Sequence, residues 1–321
     1  IDNGVNYLDT AYPYHGGMSE PLLAKACKDG YREKVNIATK LPSWLIKKTE
    51  DFDRYLDEQL EKLETESVEF YLIHALERKF WDNLTDLGLL EFMDRAKKDG
   101  RVKNIGFSFH DQFSVFEEIV NGYDWDFCQI QMNYIDTEYQ AGLKGLKLAH
   151  DKGLGIIIME PLRGGNIGDP SRISDEIKEM WKKTGKDFSP AAWAFKYLYN
   201  MEEVGLVLSG MNEMTHVDEN IKIASESGPG HLSIQEKAVI QEIKEVYLSK
   251  IQVNCTACNY CMPCPHGVNI PANFKTYNDA YMLNKKTAVR ERKMFIPKEA
   301  SSNQCVACGE CEPKCPQHIP I

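Results

Sequence analysis

The chain has 321 residues, 43% hydrophobic and 27% charged, with a net charge of −10. That length allows one large core and a smaller second unit, while the acidic balance argues against a nucleic-acid or anionic-membrane partner. No apolar run approaches the roughly 20 residues needed to cross a bilayer, and no secretory signal is visible, so a cytoplasmic protein is expected. Charge and cysteine are unevenly spread. Residues 1–250 carry −13 and residues 251–321 carry +3, and eight of the ten cysteines fall between 255 and 315. The outliers, Cys27 and Cys128, read as reduced core thiols.

In chain order, Ile1-Asp2-Asn3-Gly4 reads as the last turn of a helix with its glycine cap, which implies a preceding βα unit. Tyr7-Leu8-Asp9 then forms a short strand, followed by a loop broken by Pro13 and Gly16-Gly17 and a helix opening at Ser19. Further strand-like runs are Val35–Thr39, Glu69–His74, Asn104–Ser108, Phe127–Gln131, Gly155–Met159 and Val204–Leu208. Amphipathic helical patterns separate them, for example Phe52 to Leu63 and Leu89 to Lys98. Seven strand–helix units predict a parallel sheet, and their near-equal size favours a (β/α)8 TIM barrel whose first βα unit is missing from this chain. A doubly wound open sheet is the runner-up, disfavoured because no G-x-G-x-x-G follows the first strand. Ser225 to His231 is a polar hinge, so the barrel is expected over residues 1–232 and a second domain over 233–321.

A barrel should gather its chemistry at the C-terminal strand ends. There the sequence places Asp9, Lys40 and His74 on three successive strands, with Tyr14 on the first loop. A lysine beside a phenol favours the phenolate and makes Tyr14 a usable proton donor. Asp9 would hold Lys40 charged, and His74 would orient or polarise a carbonyl. Such a set suits carbonyl reduction, with the hydride drawn from a cofactor because no side chain supplies one.

These residues resemble a known family. Asp9-Thr10-Ala11 with Tyr14 five residues after Asp9, Ala38-Thr39-Lys40, Tyr71-Leu72-Ile73-His74, Ile105–Ser108, Gln129, Glu160-Pro161-Leu162 and Glu219-Asn220 are similar to the aldo-keto reductases, over about residues 1–225. The resemblance implies a (β/α)8 barrel, a bound NADP or NAD, and a catalytic tetrad of Asp9, Tyr14, Lys40 and His74. It also implies that Ser108 and Gln129 hold the nicotinamide carboxamide and that Met159 lies near the ring. Pro161, Leu162 and Arg163, with Ser209, Gly210 and Asn212, would line the nucleotide, the pyrophosphate falling to Arg163 and the Ser209–Asn212 stretch. Glu219 and Asn220 would face the adenine. The sequence departs from the family pattern at Phe109, where Asn is frequent, and at Met159, where an aromatic usually stacks. It departs again at Gly210 and His216, where cations often hold the 2′-phosphate, which leaves NADPH and NADH both open.

After the hinge, Ser233 and Glu236 have the spacing of a capping box and predict a helix to about Lys250. Cys255, Cys258, Cys261 and Cys264 follow at C-x2-C-x2-C-x2-C-P, then Cys305, Cys308, Cys311 and Cys315 at C-x2-C-x2-C-x3-C-P. Thiolates at this spacing ending in Cys-Pro point to iron–sulfur ligation. Zinc prefers separated pairs and disulfides suit secreted chains, so both rank lower. The region resembles two-cluster ferredoxins. That likeness assigns Cys255, Cys258, Cys261 and Cys315 to one 4Fe-4S cluster and Cys305, Cys308, Cys311 and Cys264 to the other. The segment Ala272 to Phe295 reads as helical, which favours an α-helical ferredoxin-like domain, with Phe274, Tyr277, Tyr281 and Leu283 available for packing. His266 and His318 are expected beside the clusters and not as ligands.

The expected protein is therefore an oxidoreductase acting on a small-molecule aldehyde or ketone, with two 4Fe-4S clusters for electron transfer and a redox partner protein. Two alternatives compete with it: an electron-transfer protein whose barrel is a docking scaffold, and a reductase whose clusters are structural.

Overall fold

A computed structural model describes residues 1–255, 259–283, 285–315 and 318–321. By internal packing the chain divides into two units, Ile1–Pro161 with Leu198–His231, and Leu162–Tyr197 with Leu232–Ile321.

The first unit is built on one sheet of seven parallel strands in sequential order: β1 (Tyr7–Asp9), β2 (Asn36–Leu41), β3 (Val68–Leu76), β4 (Val102–Phe109), β5 (Phe127–Gln131), β6 (Gly155–Met159) and β7 (Leu206–Val207). Helices return the chain between them, among them α1 (Ser19–Ala26), α2 (Glu50–Lys62), α3 (Arg78–Asp86), α4 (Leu89–Lys98), α5 (Phe113–Gly122), α6 (Gly142–Asp151) and, after β7, α9 (Met214–Ser225). Neighbouring parallel strands joined through helices are the architecture of a (β/α)8 barrel, which agrees with the sequence.

Ala38 of β2, Leu72 of β3, Phe127 of β5 and Ile157 of β6 form a buried cluster on one face of the sheet, with Tyr7, Phe70, Leu206 and Leu208 packed against it. The helix-facing side is aromatic. Phe52 of α2 stacks on Phe92 of α4 at 5.1 Å, and Phe107, Phe109, Phe116 and Trp125 interlock beside β4. Each fully buried side chain of this size contributes about 1.5–3 kcal/mol. Gly106 of β4 is required by space, because a Cβ there would lie 2.5 Å from the carbonyl oxygen of Phe127. Between Ile73 and Leu76 the β3–β4 register slips by a bulge, with Ala75 at φ +53°. Bulges re-aim side chains, and this one immediately follows His74.

In the second unit, α7 (Asp175–Lys182), α8 (Pro190–Tyr199) and α10 (Ile234–Ser249) make a small helical core. Trp181 stacks on Trp193 at 4.9 Å, and Val239, Ile240, Ile243 and Tyr247 bury the inner stripe of α10. The capping box is present: Ser233 caps the Glu236 N–H and the Glu236 carboxylate accepts the Ser233 N–H. The stretch expected to be helical is built of two helices, α11 (Ile270–Met282) and α12 (Lys285–Phe295). Leu283 leaves helical geometry at φ −112°, ψ −92°, which ends α11. Phe274 packs inward, whereas Tyr277 and Tyr281 are about half exposed and rest on each other at 5.1 Å. No helix among the described residues is long and apolar enough to cross a membrane.

Candidate active site

Because β1, β2 and β3 are adjacent and parallel, Asp9, Lys40 and His74 come to the same end of the sheet. Lys40 is fully buried. Its ammonium donates to Asp9 Oδ1 at 2.6 Å and to the Thr10 carbonyl at 2.7 Å. A buried cation persists only with such partners. Behind it, the Gln59 amide donates to the Lys40 carbonyl at 3.0 Å and to Glu20 at 2.7 Å. Thr39 donates to Glu20 at 2.6 Å, and the Tyr71 hydroxyl donates to Gln59 at 2.9 Å. This buried network fixes the backbone from which Lys40 projects.

Tyr14 enters on the turn Tyr14–Gly17 after Pro13. Its ring centroid lies 4.9 Å from Lys40 Nζ and 5.8 Å from the His74 imidazole, the two rings near perpendicular at 77°. Trp44 closes on His74 at 5.2 Å, and Ser43 Oγ donates to the His74 carbonyl at 2.6 Å. Acid, amine, imidazole and phenol thus meet in one place.

Burial, reinforced by the positive charge of Lys40 and of His110, pushes the His74 imidazole down to about 3. It is neutral at physiological pH, suited to polarising an oxygen by hydrogen bonding and not as a cation. Its Nδ1 is buried without a hydrogen-bond partner, and so is Oδ2 of Asp9. Burial raises the Asp9 carboxyl above its ordinary range against the opposing pull of Lys40.

Next along the sheet, Ser108 of β4 and Gln129 of β5 are buried register partners. Ser108 Oγ accepts the Ala75 N–H at 2.8 Å, which ties the bulge to β4. The Gln129 amide nitrogen lies 3.6 Å from Met159 Sδ at the end of β6, and its Oε1 is buried without a partner. A buried carbonyl left unpaired costs about 1–3 kcal/mol, and a ligand amide N–H is the group that would relieve it. The residues present therefore fit a nicotinamide carboxamide.

The remaining expected nucleotide residues are distributed as follows. Asn220 of α9 donates to Ser209 Oγ at 3.0 Å, Asn212 Oδ1 lies 3.1 Å from the His216 ring, Gly210 is exposed with open space where a Cβ would project, and Glu219 is half-buried. Pro161 closes the first unit. Leu162 and Arg163 belong to the second, where Leu162 packs against Gly168 and the Arg163 guanidinium lies 3.1 Å from Asp279 of α11.

Of the expected cluster ligands, Cys258 lies outside the described residues. Cys261, Cys264 and Cys311 share a small apolar cluster with Val268, Ile270 and Phe274. Burial raises the Cys311 thiol, and Cys308 and Cys264 are close enough to add to the shift. Cys305 and Cys308 are exposed and Cys255 and Cys315 half-buried. The Ala307 N–H, at φ +54°, lies 3.4 Å from Cys305 Sγ. No group of three or more metal-ligating side chains is drawn together among the described residues. Soft thiols from both runs gathered at one apolar cluster fit iron–sulfur ligation. His266 and His318 are exposed.

The sequence did not point to Trp44, Gln59 or Asp279. Trp44 carried a usable signal, an aromatic just past a strand end. Gln59 acts through partners distant in sequence and carried none, and for Asp279 the sequence offers only its i,i+4 neighbour Lys275 and not Arg163.

The aldo/keto reductase family model matches residues 1–245, and a 4Fe-4S dicluster domain matches residues 254–319. A probable aldo-keto reductase 1 of Glycine max is 31% identical over 69% of this chain and 71% of its own length. The uncharacterized oxidoreductase YrpG of Bacillus subtilis is 27% identical over 52% of this chain, and the match covers 56% of that protein, little more than half its length. Among solved structures, aldo-keto reductase AKR11C1 from Bacillus halodurans superposes with a TM-score of 0.62 at 23% identity, covering 75% of this chain and 82% of the other. An aldo-keto reductase from Klebsiella pneumoniae in complex with NADPH gives 0.61 at 19% identity, covering 76% and 81%.

Proposed function

The chain belongs to the aldo/keto reductase family and carries a 4Fe-4S dicluster domain, and from that premise we propose that it reduces an aldehyde or ketone with NADPH or NADH. One observation carries the reading: the fully buried Lys40, bonded to Asp9 at 2.6 Å, stands 4.9 Å from the Tyr14 ring with a neutral His74 beside it.

The nicotinamide, when bound, supplies the hydride to the carbonyl carbon. The protein's residues do the rest. Gln129 and Ser108 orient the carboxamide, with Met159 beside the ring. His74 hydrogen-bonds the carbonyl oxygen and polarises it without competing for the proton, because its imidazole is held neutral. Tyr14 donates its hydroxyl proton to that oxygen. Lys40 stabilises the negative charge left on the phenol, and Asp9 keeps the ammonium in place. Ser209, Gly210, Asn212, Glu219 and Asn220 are the candidates for the remainder of the nucleotide. The Klebsiella relative solved with NADPH supports a phosphorylated cofactor, although Gly210 and His216 stand where the family often has cations.

The dicluster domain is proposed to hold two clusters, one on Cys255, Cys258, Cys261 and Cys315, the other on Cys305, Cys308, Cys311 and Cys264. Such clusters supply one-electron transfer. The proximity of Cys264 to Cys311 supports the crossed arrangement.

Anaerobic purification, an iron and acid-labile sulfide assay, and NADPH and NADH oxidation against a panel of aldehydes and ketones test the whole reading. About eight irons per chain and carbonyl-dependent oxidation of one nucleotide are expected. Nucleotide oxidation that ignores every carbonyl would overturn the reductase assignment.

A further inference from the structure

Helix α12 differs from the other charged helices of this protein. In α2, α3, α6 and α7 at least one cation of each helix is matched by an acid on the same helix: Arg54 with Glu58, Arg78 with Asp82, Lys147 with Asp151, Lys178 with Asp175 and Lys182 with Glu179. On α12, Lys285, Lys286, Arg290 and Lys293 are all exposed, and none has an ion-pair partner among the described residues. The helix's single acid, Glu291, accepts from Asn166 at 3.1 Å instead of from a neighbouring cation. The fifth cation, Arg292, is occupied by the Ser301 hydroxyl. Leaving four like charges unmatched on one short helix costs stability through self-repulsion.

Apolar groups are exposed among these cations. Val289 is 47% exposed, Met294 62% and Phe295 72%. Lys286, Val289, Arg290, Lys293 and Met294 recur at the three- and four-residue spacing that places side chains on one helix face. The inner side is narrow, marked by the buried Ala288. The helix joins the two cysteine runs and, through Arg292 and Ser301, is tied to the segment that leads into Cys305.

We infer that the exposed face of α12 is the docking surface for a small acidic one-electron carrier protein of the flavodoxin or ferredoxin class. This inference rests on the reading of residues 254–319 as a cluster-bearing electron-transfer unit. Complementary charge steers encounter and fixes orientation, and a few exposed apolar groups provide contact once the partners meet. The local excess of positive charge stands out in a chain of net charge −10, so an acidic carrier repelled by the remaining surface would be guided to this face. An anionic membrane fits less well, because an interfacial helix needs a continuous apolar face opposite its cations. Here Val289, Met294 and Phe295 are interspersed with them. A carrier exchanges one electron per encounter with a cluster; one partner is oxidised, the other reduced, and no bond is made or broken.

The test uses the intact, anaerobically purified, iron-loaded chain. Its binding to a flavodoxin is measured at about 20 mM and about 200 mM salt, with a basic c-type cytochrome as control. The variant Lys286→Glu, Arg290→Glu, Lys293→Glu is compared, and the neutral Gln triple guards against a folding defect. Flavodoxin should bind at low salt and lose most of its affinity at high salt, and the cytochrome should not bind. The Glu triple should weaken binding about tenfold or more and the Gln triple by less. Iron, sulfide and carbonyl reduction should be unchanged in both. The inference is overturned by absent flavodoxin binding at low salt, or by equal binding of the Glu triple. Binding to phosphatidylglycerol vesicles without binding to the carrier overturns it in favour of a membrane. Salt-sensitive self-association lost in the Glu triple overturns it in favour of a second copy of this chain. A chain that holds no iron when purified anaerobically fails at the earlier step and brings the docking inference down with it, whereas a loaded chain that binds no carrier overturns the docking inference alone.

Discussion

Along β2, β3 and β4 most side chains are buried, and the helices lay stacked aromatic rings against them. Between Cys255 and Ile321 the fully or nearly fully buried apolar residues are, among those described, Cys261, Val268, Ile270, Met282, Ala288 and Ile296. At about 1.5–3 kcal/mol for each large side chain, so few cannot offset the conformational entropy of ordering that length of chain. The barrel positions its reactive groups with a core that exists before any ligand arrives. The cysteine-rich segment depends for its order on the metal it is read to bind. Each of the two packing units also carries a largely buried ion pair, Lys40–Asp9 in the first and Arg163–Asp279 in the second.

The sharpest way to break this contrast is to remove iron. Anaerobic chelation should abolish hydrogen-exchange protection over residues 254–319 while leaving β2 to β5 protected; equal loss in both regions would refute it. Next in size is Asp9→Asn. It strands a buried ammonium and should cost about 3–5 kcal/mol of barrel stability in urea, together with a fall in kcat of about a hundredfold or more. The parallel change Asp279→Ala strands the Arg163 guanidinium, 12% exposed, and should cost about 3 kcal/mol, while its other cation, Lys275, is 46% exposed and can turn to water. Its effect should appear as faster exchange in α11 and the 162–172 loop, with the barrel strands unaffected.

Smallest for each single step in conditions is the effect of pH. His74 is held near 3 in the folded protein against 6.5 for an ordinary histidine. The unfolded chain therefore binds a proton that the folded one refuses. Its neutral state favours folding fully above pH 6.5, and this contribution is lost as pH falls from 6.5 toward 3. The wild type should thus lose up to about 1.4 kcal/mol per pH unit more than His74→Gln across that window. Parallel stability curves for the two proteins would contradict the buried, neutral imidazole.

The legible parts of this molecule were those where local chemistry and fold agree. The strand–helix alternation, the capping box at Ser233 and Glu236, and the cysteine spacing each carry their physical reason within a few residues. The grouping of Asp9, Lys40 and His74 was legible because parallel strands bring successive C-terminal ends together on one rim. What stayed hidden depends on long-range packing. The bulge after Ile73 arises from the pairing of β3 with β4, and Gln59 reaches Lys40 through a tertiary network. Arg163 reads locally as a phosphate ligand, but a carboxylate 116 positions away is its observed partner. The helical character of 272–295 was legible, while its division at Leu283 was not, because helical propensity persists there.

The central claim is that Tyr14, set beside the buried Lys40, delivers the proton in carbonyl reduction. Steady-state NADPH-dependent reduction of an accepted aldehyde by Tyr14→Phe, with iron and sulfide measured on the same sample, tests it most directly. Phenylalanine keeps the ring beside His74 and removes only the hydroxyl. We predict a loss of about a hundredfold or more in kcat/KM with cluster content unchanged. Reduction at the wild-type rate would show that the proton comes from elsewhere, and the role assigned to this site would be wrong.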